Sequence, residues 1–114
     1  MAFKTKALRY LGGLSGRGDI VQNGKKLAPT TFDLDGYYRA AAGVSGCGEI
    51  RLASEMLRSL FGRSDLQLLT EQGQVFDIKF SDHTLPASSC VAHIDLSGNM
   101  DPADWRRGDA ADNS

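Results

Sequence analysis

From Ile20 to Leu96, apolar and polar positions alternate over short stretches, and glycine-bearing turn residues separate the stretches. A period of two is the mark of strands with one buried and one wet face. Ile20-Val21-Gln22 runs into Asn23-Gly24, the strongest short hairpin signal, which predicts a return strand over 26–38. In that strand Phe32 and Leu34 face a core while Thr31, Asp33 and Asp35 face water, and Pro29 marks an edge position or an irregularity. Ile50 and Leu52 point inward between charged neighbours. Segments 66–71 and 74–80 flank Gln72-Gly73 and read as a second hairpin, with Phe76, Ile78 and Phe80 on one face. After a loop over 81–89 comes a final strand with Ala92, Ile94 and Leu96 inward and Val91, His93 and Asp95 outward. One short helix interrupts this pattern. Ser54 is its predicted N-cap, Glu55 favours its positive end, Gly62 stops it, and Met56, Leu57, Leu60 and Phe61 share its apolar face.

One segment appears twice. Gly13-Leu14-Ser15-Gly16-Arg17-Gly18-Asp19-Ile20 is matched thirty residues later by Gly43-Val44-Ser45-Gly46-Cys47-Gly48-Glu49-Ile50, with five identities and two conservative changes. Two copies fall short of the three or more repeats a solenoid needs. Closely spaced glycines in or before a strand allow a bulge or a sharp coil, which closing a small barrel requires. Gly16, Gly18, Gly46 and Gly48 are therefore candidate structural turns. These elements together predict a mainly β fold, a small antiparallel barrel or sandwich of about six strands with one short helix acting as a plug.

Length and composition agree with a single core. The chain has 114 residues and is 41% hydrophobic, enough apolar material for one domain, placed at 1–98. Segment 99–114 is polar, acidic and almost free of aliphatics, which predicts a disordered tail. Trp105-Arg106-Arg107 within it has the composition of an interface anchor.

Thirteen Lys and Arg balance fourteen Asp and Glu, for a formal charge of −1, so no positive field gathers a polyanion and nucleic acid is disfavoured as a partner. The N-terminus carries Lys4, Lys6 and Arg9, but its apolar stretch is short and broken by Gly12-Gly13, unlike a secretory leader. No apolar run reaches the roughly 18 residues that span a bilayer. The expected compartment is the cytoplasm. Cys47 and Cys90 stand far apart, so they suggest two reduced thiols and no zinc framework.

The motifs that carry chemistry are sparse. Gly16-x-Gly18 and Gly46-x-Gly48 lack the third glycine and the helix start of a phosphate loop, which argues against a nucleotide cofactor. Arg17-Gly18-Asp19 spells an adhesion tripeptide by coincidence, since the second copy has Cys in place of Arg. Cys90-x-x-His93-x-Asp95, with Asp82 and His83 before it, contains metal-ligand types. On a strand, however, His93 and Asp95 share a face and Cys90 opposes them. His93, Asp95 and His83 are the candidate weak site, and an enzyme there requires them to converge within hydrogen-bond reach. No nucleophile elbow or Cys-His signature accompanies them.

The order of three strands, a short helix and a hairpin resembles an oligonucleotide-binding fold, apart from the extra final strand. That resemblance implies single-stranded nucleic acid stacked on exposed aromatics, for which Tyr37 and Tyr38 are the paired candidates. Asp95-Leu96-Ser97-Gly98-Asn99 looks like the start of the Asp-x-Ser-x-x-Gly motif of PilZ barrels. Met100 stands where that motif needs Gly, and the chain has no Arg-x-x-x-Arg, so the assignment fails. What is left is the expectation of a non-enzymatic binding or assembly module. It would bind no cofactor, and its partner would be a protein or a second copy. The working surface lies at the sheet edge and loops around the glycine segments.

Overall fold

A computed structural model describes residues 8–40, 42–97, 100 and 105. Six strands and one helix follow in the order β1 (Leu8–Gln22), β2 (Lys25–Arg39), β3 (Gly43–Arg51), α1 (Ser54–Leu60), β4 (Leu66–Thr70), β5 (Val75–Phe80) and β6 (Val91–Ser97). The strands close into an antiparallel barrel in the order β1-β2-β3-β6-β5-β4, which decides between barrel and sandwich. Asn23 (φ 54°) and Gly24 (φ 81°) join β1 to β2 with both central residues in the left-handed region. That is the conformation a two-residue hairpin needs and Asn-Gly adopts readily. Pro29 lies in the part of β2 that pairs with β1 alone, because pairing with β3 begins at Thr31, so its missing N–H breaks no ladder.

The inward positions follow the predicted alternation. Ile20, Leu34, Ile50, Leu68 and Ile94, one from each of five strands, are fully buried, and Phe76 and Ile78 complete the lining from β5. Leu57 and Leu60 of α1 enter the core from the end where β3 terminates. Ser54 is the first helical residue and not the cap. Ala53 occupies the cap position with no side-chain bond, and its carbonyl accepts from the Leu57 N–H at 2.9 Å. Met56 is exposed, so the apolar face of α1 is narrower than predicted. Phe61 instead packs its ring 5.0 Å from that of Phe80. Gly62 follows with φ 90°, the left-handed conformation that ends the helix.

The four candidate turn glycines form no turns. Gly16 and Gly18 lie within β1, and Gly46 and Gly48 within β3. Gly18 and Gly48, equivalent in the two copies, share one physical task. A side chain at Gly18 would overlap the Leu69 carbonyl, and one at Gly48 would overlap the Asp33 carbonyl, so each lets a neighbouring strand approach closely. Gly46 does something else. It stands opposite Gly36 in the β2–β3 register, and together they form a slot for the indole of Trp105.

Trp105 is completely buried, with its ring centroid 5.8 Å from that of Phe76. It fills the barrel end opposite α1. The expectation of a tail free of the core therefore does not hold at Trp105, and two facing glycines supply the reason. Apart from Met100, which packs against the core, the rest of that segment lies outside the described residues.

Candidate functional site

The outer face of β6 carries the residues singled out from sequence. His93 stands opposite Glu49 of β3, with Nε2 3.7 Å from its carboxylate. On the other side Nδ1 lies 3.3 Å from Asp82, whose carboxylate also accepts the His93 backbone N–H at 2.9 Å. That backbone hydrogen bond holds the Asp82 carboxyl below its usual range, against a smaller opposing effect of burial and with help from the His93 ring and the charges of His93 and His83. Asp95 faces Cys47 on one side and Lys79 on the other. Burial pushes the Cys47 thiol up, and the charges of Asp95 and Asp35 push it further, the reverse of what a nucleophilic thiol needs.

His93, Asp95 and His83 are all exposed. His93 engages Asp82 and Glu49, so the convergence of His93, Asp95 and His83 is not found among the described residues. Nor does any group of three His, Cys, Asp or Glu among them have a metal-binding arrangement. Tyr37 and Tyr38 are half-buried, Tyr37 with its ring 5.4 Å from Tyr10 and Tyr38 beneath the Arg9 guanidinium at 5.6 Å. The sheet face beside them bears Asp33, Asp35, Glu49 and Asp95, a charge that repels phosphate.

A different feature sits on β1. This strand pairs with β2 along nearly its whole length, but on its other side β4 covers only residues 18–21. Beyond that pairing the Glu71 N–H donates to the Arg17 carbonyl at 3.0 Å on the same side. Successive residues of a strand direct their main-chain groups to opposite sides. The groups of Ser15 and Gly13 therefore share the side of Arg17, and among the described residues nothing pairs with them there.

Beside them lies a cleft of about 170 Å³ between residues 14–17 of β1 and the β4–β5 turn, with Phe32 among its walls. The turn closes early because the Thr70 hydroxyl accepts the Gln74 N–H at 3.0 Å and donates to the Gln74 side-chain carbonyl at 3.2 Å. This leaves the Gln74 Nε2 buried without a partner. An unpaired strand edge and an unused buried donor thus meet at one cleft. Sequence reasoning placed a working surface near the glycine segments but did not find Gln74, whose role depends on where β4 stops.

No protein-family model matches the chain, and neither does any curated protein or solved structure. No helix among the described residues is long and apolar enough to cross a membrane.

Proposed function

We propose that this protein is a non-enzymatic binding module that accepts an extended polypeptide strand along the uncovered edge of β1. The observation that carries this reading is that, among the described residues, the main chain of Gly13 and Ser15 has no partner on the side of β4, beside the unpartnered Gln74 Nε2. Exposed edges recruit strands unless charge, proline or cover protects them. From Leu8 to Gly16 the edge has one charged residue, Arg9, no proline and one bulge, between Tyr10 and Gly12, so its unguarded part is Gly13 to Gly16. An added strand gains main-chain hydrogen bonds from β1, and the cleft supplies a pocket for one of its side chains.

The test is an array of defined linear octapeptides, read by fluorescence polarisation against the wild type and Ser15→Pro. The Ser15 N–H points to the open side, so proline there removes a donor for the incoming strand without touching the β1–β2 ladder. Peptides bound by the wild type and at least tenfold more weakly by S15P support the reading. An array with no binders, or binders indifferent to S15P, refutes it.

A further inference from the structure

We infer that the strand accepted at β1 is residues 3–7 of a second copy of this chain, so that the protein forms a two-fold dimer through its N-terminal segments. The inference rests on the strand-acceptor reading and names its occupant.

The outer face beside the uncovered edge sets the chemistry of that occupant. Gly13 stands opposite Asp35 and Ser15 opposite Asp33. Both carboxylates lean towards β1. Asp33 accepts the Ser15 hydroxyl at 2.9 Å, and an Asp35 oxygen lies 3.9 Å from where a side chain at Gly13 would begin. Among the described residues neither Asp33 nor Asp35 forms an ion pair with Lys or Arg. A strand laid along Gly13 and Ser15 meets two small residues with a carboxylate behind each. The strand spacing is about 4.8 Å, so two spacings separate the incoming strand from β2, within reach of a lysine stem laid across Gly13 or Ser15. The fitting strand is basic at alternate positions.

The chain contains such a segment immediately before β1, Phe3-Lys4-Thr5-Lys6-Ala7. Its own copy cannot supply it. Five strand residues place Leu8 about 16 Å from Gly13, whereas Lys6 is two residues from Leu8 and its main chain stays within about 7 Å of it. In a second copy the antiparallel register Lys6 to Gly13 and Lys4 to Ser15 is open, and because β1 is bulged between Tyr10 and Gly12 its two-fold axis passes through Arg9. The facing agrees as well. The Tyr10 hydroxyl donates to Asp35 at 2.8 Å, so residue 10 points to the acidic face. Strand alternation gives residues 8, 6 and 4 of an extended segment the same direction.

Charge exchange tests this directly on the full chain by sedimentation equilibrium. The wild type is expected to be a dimer that weakens with salt, since the ion pairs are exposed. K4E/K6E and D33K/D35K, each with unchanged circular dichroism, are each expected to dimerise at least tenfold more weakly. An equimolar mixture of the two variants restores the dimer, because every lysine or glutamate of one copy then meets its opposite on the other. A monomeric wild type, a dimer that survives both reversals, or a mixture that stays monomeric overturns the inference. A monomeric wild type that still binds array peptides in an S15P-sensitive way removes the second copy as occupant and leaves the strand-acceptor reading standing. Failure of both assays removes both.

Discussion

Trp105 and Gly36 offer the sharpest quantitative test of how the barrel is held. Replacing a buried Trp by Ala in a core costs about 3–5 kcal/mol. Part of that is recovered here, because the indole Nε1 is buried without a partner in the native state, a defect worth about 1–3 kcal/mol. The net loss for Trp105→Ala is therefore near the low end, about 3 kcal/mol, or about 12 °C in Tm at this chain length. Gly36→Ala attacks the same contact from the other side. Its methyl would overlap the indole Cδ2 and sit 2.6 Å from Cγ, so the ring must leave. The backbone of Gly36 is outside the left-handed region, so alanine itself is unstrained there, and it recovers about 0.5 kcal/mol relative to glycine in a strand.

The two losses are consequently one loss counted twice. Gly36→Ala should cost about 2.5 kcal/mol and the double variant about the same, whereas independent sites would give about 5.5 kcal/mol. Urea unfolding of the four proteins measures this. Trp105, the only tryptophan in the chain, reports its own position, and its emission should shift to the red in G36A while far-ultraviolet circular dichroism stays native. An additive double variant, or unchanged emission in G36A, would falsify the glycine slot.

Three further outcomes follow from the same geometry. Gly18→Ala and Gly48→Ala, which push a methyl onto a neighbouring carbonyl, should each lose more than about 2 kcal/mol in urea unfolding, while Gly16→Ala, which meets only Phe32 Cζ at 3.5 Å, should stay within about 1 kcal/mol. Alkylation by iodoacetamide near pH 8 should be slower at Cys47 than at exposed Cys90, and Asp95→Asn should speed Cys47, since Asp95 is one of the charges that keep its thiol protonated. Asp82 has a lowered carboxyl pKa, so its contribution to stability is present above the unfolded value of about 3.9 and disappears as pH falls through the folded value. The gap in urea midpoint between wild type and Asp82→Asn should therefore be full at pH 6 and close on acidification, and a gap independent of pH would count against the His93 backbone contact.

The fold was readable where its cause is local. Asn23-Gly24 fixes a hairpin by its own torsion angles, and the alternation of Phe32 with Asp33 or Ile94 with Asp95 fixes which face is buried. What could not be read depends on residues far apart in sequence. Trp105 sits in a polar, acidic segment and looks like part of a free terminus. Only the register that sets Gly36 against Gly46 creates a place for it. Proximity along the chain groups His93 with Asp95 and His83, yet its partners are Glu49, delivered by β3, and Asp82, delivered by the folding back of the loop. The uncovered edge of β1 depends on β4 ending at Thr70, one residue earlier than its pattern suggests, because the Thr70 hydroxyl captures Gln74.

The duplicated glycine segment shows why the edge of β1 is the place to look for binding. Both copies use the same device at the same position, Gly18 pressed to Leu69 and Gly48 to Asp33. They differ in the neighbours supplied to the residues before it. In β3, Gly46 has β2 on one side, β6 on the other and Trp105 against its inner face. In β1, the equivalent Gly16 has β2 on one side and opens into the cleft on the other, beside the buried, unpartnered Gln74 Nε2. Satisfying main-chain groups is close to obligatory where they are buried, and in the second copy β6 pairs alongside from Gly46 onward. In the first copy β4 pairs alongside only from Gly18, so among the described residues no strand flanks Gly16 on that side. A strand added along Gly13 and Ser15 would run on past Gly16 and give that residue the neighbour that β6 gives Gly46.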